Sequence, residues 1–385
     1  MTSATTSVPS LLIDFAAGRL ATLPLEPVRQ IARRADGHQL QCLGQSGLMP
    51  LFAHAMQDHL GALPPQWQLS SIGALHAAQM RHSRLADTAI EVVDLCNALG
   101  VPATLLKGIS VSEQFYPAAH LRPMGDIDVL IPREHYEAVA SAMLDLGYRH
   151  KQNAVVDSNW NHGPPLFHPS HQVWVELHTR LFPLQSPLQQ GELFGATSVM
   201  ARSVASEFRG HPARRLSVEL QLVYTACFWV RDLCHEAMHP SHLPPLFDLV
   251  YLLRRSAGSF DWDRMLSWLD NDLARAHVFL TLGYLHRHAL APVPVHVLAT
   301  LSEQDVVGRF EMRILHAMLD RYLLTGKPFR AFSSWHLWSA LLRAAPPARK
   351  LLSLPARILF PPARPDRFTT RYHVQRFRRV VSRLR

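Results

Sequence analysis

The sequence predicts an α+β fold, a compact module of alternating strands and helices set between two helical regions. Three observations carry this expectation. Up to residue 100 the apolar residues recur at helical spacing. From 101 to about 180 short apolar runs of strand length alternate with helical stretches. From about 190 the helical spacing returns. With 385 residues and 48% hydrophobic content, the chain can bury sizeable cores and hold two or three modules.

The clearest early helix is SSIGALHAAQMRHSRLADTAIEVVDLCNALG, with Ser70 or Ser71 as N-cap and Gly100 as its stop. VPATLLKG then reads as a strand, ISVSEQFY as one or two helical turns ended by Pro117, and DIDVLI as a second strand. Pro132 opens the helix PREHYEAVASAMLDLG, which Gly147 ends. A loop over 153–165 leads to HQVWVELHTRL, which alternates as a strand does. Helical patterns follow in SVELQLVYTACFWVRDL, PPLFDLVYLLRR, the stretch from Asp261 to Leu290, and EQDVVGRFEMRILHAMLDRYLL. The expected organisation is a helical region over 1–98, an α/β core over 99–185, a helical domain over 186–342 and a basic Pro/Arg-rich tail over 343–385. No repeat of fixed period is visible.

The net charge of +9 is concentrated at the end of the chain. Residues 343–385 carry 12 Lys+Arg against the single acid Asp366, which leaves the body slightly acidic. Such a tail suits nucleic acid, anionic lipid or an acidic partner, and is equally compatible with a solvated helix. Within it, Arg371 to Arg385 sets Tyr372, Val374, Phe377, Val380, Val381 and Leu384 on an apolar stripe with arginines elsewhere. Residues 364–385 are therefore the expected contact for an anionic membrane surface or nucleic acid, or for the body itself. The start of the chain lacks a basic n-region, and no segment is apolar for long enough to span a membrane. Four scattered cysteines without a CxxC pair point to reduced thiols. The expected location is the cytoplasm, peripheral to the inner membrane if the tail binds lipid.

Chemistry concentrates in LLKGISVSEQFYPAAHLRPMGDIDVLI (105–131). On a strand, residues i and i+2 share a face, so Asp126 and Asp128 project together while Ile127, Val129 and Ile131 face the core. Two carboxylates that close repel unless a cation lies between them or one keeps its proton. A divalent metal meets that need, and Mg²⁺ prefers a few carboxylates plus substrate phosphates. A third acid is then expected on a neighbouring strand. In VWVELH the same alternation puts Glu176 on one face with Trp174 and His178. The bland alternative is an Asp-x-Asp that merely bonds nearby backbone amides.

Gly108-x-Ser110 after a strand, Asp126-x-Asp128 on the next, and Glu176 later together resemble the signature of the DNA polymerase beta-like nucleotidyltransferase superfamily. More narrowly, LLKG, Tyr116-Pro117, Arg122-x-x-x-Asp126-x-Asp128-x-Leu130 and Glu176-x-His178 resemble a bacterial family of uncharacterised nucleotidyltransferases. Its members have helical flanks and are often associated with surface-polysaccharide or peptide-modification gene clusters. Two positions differ from the superfamily pattern: Ile109 intervenes before Ser110, and the third acid is Glu rather than Asp.

The resemblance implies a small mixed-sheet core and transfer of a nucleotidyl group from an NTP such as ATP. It implies that Asp126 and Asp128 hold two Mg²⁺ ions and that Glu176 completes one metal site and assists deprotonation of the acceptor. Gly108 and Ser110 would present amides and a hydroxyl to the triphosphate. Lys107 and Arg122 would neutralise its charge. Alternatively, Arg122 is an ion pair holding Asp126 or Asp128, and Lys107 a strand-end residue with its stem packed on apolar surface. His178 reads as a supporting or core histidine rather than a base. The acceptor could be a small molecule, glycan, lipid or protein. The competing class is a catalytically weak relative that acts as a binding or scaffold protein through its basic tail.

Two other features read as structural. His235-Glu-Ala-Met-His239 matches H-E-x-x-H, but Pro240 follows directly and opposes the helix a zinc protease needs. Phe228, Trp229, Phe247 and Tyr251 read as helical core rather than a base-stacking platform.

Overall fold

The computed structural model describes residues 11–18, 37–151, 161–235, 240–303 and 307–325. The His-Glu-x-x-His match, apart from His235, and the basic tail lie outside these residues. The described residues first form α1 (Leu11–Ala16), α2 (Gly37–Gln45), α3 (Met49–Ala55) and the 34-residue α4 (Pro65–Ala98). Helix α4 starts at Pro65, not at Ser70 or Ser71. Proline suits the first helical position because its φ is already set and its missing N–H has no helical acceptor there. Ser71 is buried inside the helix, its hydroxyl 3.8 Å from Met49 Sδ.

The central module follows as β1 (Thr104–Leu105), α5 (Lys107–Phe115), β2 (Asp126–Leu130), α6 (Tyr136–Asp145), β3 (Arg149–His150), β4 (Leu166–His168) and β5 (Val173–His178). Next come α7 (Ala196–Ala201), β6 (Ser203–Phe208) and β7 (His211–Leu216). The seven strands among the described residues form one mixed sheet in the order β3-β4-β5-β2-β1-β7-β6. At its centre β2 and β5 run parallel, and β1 pairs antiparallel with β2 and parallel with β7.

The β6–β7 hairpin lies within 186–342, the stretch expected to form a helical domain, and carries the sheet beyond residue 185. Its turn is Arg209-Gly210, with φ of +51° and +85°. Two successive left-handed residues match the right-handed twist of the flanking strands, and glycine takes that conformation without a Cβ penalty. The C-terminal helices are α8 (Val218–His235), α9 (Pro244–Arg255), α10 (Trp262–Ser267), α11 (Asp272–Arg287), α12 (Val295–Ser302) and α13 (Arg309–Thr325).

Two cores hold the sheet. On one side Leu85, Ala89, Val92 and Cys96 of α4 join Ile127, Val129 and Val175. Leu130, displaced by one residue and so on the other face, belongs to the core of Phe182, Leu220, Tyr224 and Trp229. Each buried aliphatic or aromatic side chain contributes about 1.5–3 kcal/mol, so strand alternation alone can hold two carboxylates on a well-anchored strand.

A buried polar junction ties the loop before β2 to the C-terminal helices. Arg122 donates from Nε (3.1 Å) and Nη2 (2.8 Å) to the two carboxylate oxygens of Asp248 on α9. Tyr116 Oη donates to Asp248 Oδ1 at 2.7 Å. Tyr116→Phe is therefore expected to lower stability by about 1.5–3 kcal/mol, as for a hydrogen bond to a charged group. Urea unfolding checks this.

Candidate active site

Strand register builds the site. In the parallel β2–β5 pair, Asp128 lies opposite Glu176, Asp126 opposite Trp174 and Leu130 opposite His178. Asp126, Asp128, Glu176 and His178 therefore share the sheet face turned away from Ile127, Val129, Val175 and Leu177. Ligand atoms of Asp128, Glu176 and His178 lie within 4.8 Å of one another.

Asp128 is the electrostatic centre. Its Oδ1 accepts from Lys107 Nζ at 2.6 Å and from His178 Nε2 at 2.7 Å. Asn161 Nδ2 donates to His178 Nδ1 at 3.0 Å, which leaves the ring proton on Nε2, facing Asp128. Glu176 Oε2 lies 3.5 Å from His178 Nε2 and 3.6 Å from His162 Nε2. Burial alone would raise the Asp128 carboxyl, but Lys107 and His178 outweigh it and hold the group well below the usual carboxylate range. Burial likewise opposes the His178 imidazolium, yet the bonds to Asp128 and Glu176 raise its pKa.

Asp126 is the opposite case. Its side chain makes no hydrogen bond or ion pair among the described residues. Burial, then repulsion from Asp128, pushes its carboxyl up to about 6. One strand thus presents a firmly ionised acid beside one that resists ionisation, the condition a cation would relieve.

Helix α5 begins beside the pair. The Leu106 N–H donates to the Asp128 carbonyl at 3.0 Å, and Lys107 turns the chain with φ of +44°. The first-turn amides, at Lys107, Gly108 and Ile109, have no acceptor within the helix and form an anion-favouring end. Gly108 is required by close approach: a Cβ there would meet Arg122 Nη1 at 2.5 Å and Met124 Cγ at 2.6 Å.

A sequence profile of the family described as uncharacterised nucleotidyltransferase matches residues 36–290. The chain belongs to this family. A nucleotidyltransferase accordingly sits in a mixed α/β fold with an acidic and histidine cluster at its centre. A solved structure, that of an antigenic nucleotidyltransferase-like protein from Paracoccidioides brasiliensis, aligns over 56% of this chain and 97% of that one. The two share 12% identity with a TM-score of 0.34. No curated protein matches.

Of the residues singled out in the sequence of this nucleotidyltransferase, Asp126, Asp128, Glu176 and Lys107 come together, and His178 lies beside them with its Nε2 on Asp128. Arg122 does not pair with Asp126 or Asp128. Asp248 binds it, and its Nη1 donates to the Pro123 carbonyl at 2.7 Å. Ser110 is turned inward and fully buried. Its hydroxyl accepts from Gln114 Nε2 at 3.0 Å, and its carbonyl accepts from Arg215 Nη1 at 2.9 Å. Ile109 is no obstruction, because its side chain enters the core behind the sheet and only its amide belongs to the helix end.

Sequence reading missed Asp248, whose signal was a lone acid inside the apolar run PPLFDLVYLL. It also read Phe228 as core alone. That ring is half-buried and faces the site, with Lys107 Nζ 5.0 Å from its centre.

Proposed function

We propose that this nucleotidyltransferase uses Mg²⁺ to move a nucleotidyl group from an NTP to a hydroxyl or phosphate of its acceptor. The observation that carries the reading is one face of two parallel strands bearing Asp126, Asp128 and Glu176, next to the N-terminal end of α5. The donors fit a hard cation. Asp126 has both carboxylate oxygens open, Asp128 Oδ2 makes no hydrogen bond among the described residues, and Glu176 adds a third carboxylate. The Nε2 of His178 is already used on Asp128, so the imidazole supports the acid rather than replacing it as a ligand. Two divalent ions at such a site supply charge for in-line displacement at the α-phosphate.

The chain's own groups then have these roles. Lys107 and the α5 amides meet phosphate oxygens, Lys107 as a point charge. His178 fixes the Asp128 carboxylate. Glu176 faces the acceptor side and takes up its proton. Arg122 and Met124 shape the helix end through Gly108 without touching the nucleotide.

A small molecule, glycan, lipid or protein acceptor fits this chemistry, as does a place in surface-polysaccharide or peptide modification. No helix among the described residues is long and apolar enough to cross a membrane. A cytoplasmic site of action, with residues 364–385 binding anionic lipid or nucleic acid, completes the proposal.

The binding-protein alternative has one observation in its favour: Lys107 and His178 already satisfy Asp128 Oδ1 without a metal. A thermal shift separates the two. Each NTP with Mg²⁺ is added to wild type and to Asp126→Ala/Asp128→Ala. Stabilisation of wild type that needs both components and vanishes in the variant is expected. Equal stabilisation of both proteins would contradict the metal assignment.

A further inference from the structure

The face of α8 turned toward the sheet carries polar groups that the reaction as described does not use. Tyr224, Phe228 and Arg231 fall at i, i+4 and i+7, one stripe of the helix. The Arg231 guanidinium lies 5.6 Å from the centre of the Phe182 ring and 5.0 Å from that of Phe228. Its Nε and Nη2 both donate to Asp232 Oδ1, at 3.0 and 2.8 Å, while Nη1 makes no hydrogen bond among the described residues. Lys107 Nζ sits at the same 5.0 Å from Phe228, so the two cations are at most twice that distance apart.

Beside them the Tyr224 hydroxyl is buried and has no hydrogen-bond partner among the described residues. Burial, against the opposing pull of Lys107, pushes it up to about 12, so it stays a neutral donor. A buried orphan hydroxyl is costly unless something in the working state satisfies it. An arginine with two aromatic rings within 5.6 Å of its guanidinium and a free N–H edge is placed to meet a phosphate oxygen.

We propose that Arg231 and Tyr224 bind the β,γ-diphosphate part of the nucleotide, making α8 the second wall of the polyphosphate site opposite the N-terminus of α5. This rests on the nucleotidyltransferase reading and adds the part of the substrate that leaves as pyrophosphate. Phe228 is the shared ring between the two cations, with Lys107 and Arg231 each 5.0 Å from its centre. Arg231→Lys keeps the charge but loses the planar face, and Tyr224→Phe removes one oxygen from an otherwise unchanged ring.

The test is titration calorimetry of inorganic pyrophosphate with excess Mg²⁺ into full-length protein, with each NTP titrated into wild type in parallel. Arg231→Gln is expected to weaken pyrophosphate binding by about ten- to a hundredfold, the loss of one charge-assisted hydrogen bond. Arg231→Lys should recover part of that loss, and Tyr224→Phe should weaken binding about fivefold. Unfolding curves for each variant separate a folding defect from a binding one. Wild-type pyrophosphate affinity in both Arg231→Gln and Tyr224→Phe, with NTP still bound by wild type, would overturn the assignment alone. A wild type that binds neither NTP nor pyrophosphate would overturn the underlying reading with it.

Discussion

Asp128→Asn is expected to destabilise the protein by about 3–5 kcal/mol, because it leaves a buried lysine without its counter-charge. Lys107 Nζ bonds Asp128 at 2.6 Å, and this ion pair with His178 is what outweighs the burial of both charges. Urea unfolding at pH 7 reads the loss. The folded-state carboxyl is held far below its unfolded value. Its contribution is therefore present above the unfolded pKa near 4 and disappears as pH falls through the folded one. Removing both partners, as in Lys107→Met with Asp128→Asn, should recover much of the stability, since no charge is then left unpaired. Equal losses in the single and double variants would show that the pair does not organise the site.

Asp126→Asn should do the reverse. Its carboxyl is pushed up to about 6 in the metal-free fold, so ionising it costs up to about 3 kcal/mol relative to the unfolded chain. That cost is absent below the unfolded pKa near 4 and complete once pH has risen through 6. Without metal, Asp126→Asn is therefore expected to be more stable than wild type at pH 8, with the two converging near pH 4. Denaturation midpoints in a chelating buffer at both pH values measure this. Added Mg²⁺ should narrow the gap at pH 8, because a cation stabilises the ionised wild-type carboxylate. Two acids one residue apart thus carry opposite stability signs.

The legible part of the molecule was whatever local pattern controls. Strand alternation set the common face of Asp126 and Asp128 and extended it to Glu176 and His178, since a period of two leaves no choice once Ile127 and Val175 must be buried. The helices around PREHYEAVASAMLDLG and PPLFDLVYLLRR follow from their apolar spacing in the same way; Pro244 starts α9, whereas α6 starts at Tyr136, after a short 3-10 turn that follows Pro132. What the sequence hid was non-local pairing. Arg122 stands four residues from Asp126, yet its partner Asp248 lies more than a hundred residues away. The hairpin at Arg209-Gly210 was masked because Val204 is exposed and arginines occupy β7, leaving little alternation to read. Ser110 matched a motif, but one helical turn rotates its hydroxyl away from the helix end that gives the motif its chemistry.

The central claim, that Asp126 belongs to a metal-dependent nucleotidyl-transfer site, is tested most directly by label transfer. Each NTP labelled at its α-phosphate is incubated with Mg²⁺, cell extract and either wild type or Asp126→Asn, the variant expected to keep its fold. Wild type should pass label to an acceptor with at least one NTP. Asp126→Asn should fall by on the order of a thousandfold, the scale of losing an electrostatic element of the transition state. Equal transfer by the two proteins, or no transfer by wild type above extract alone, would contradict it.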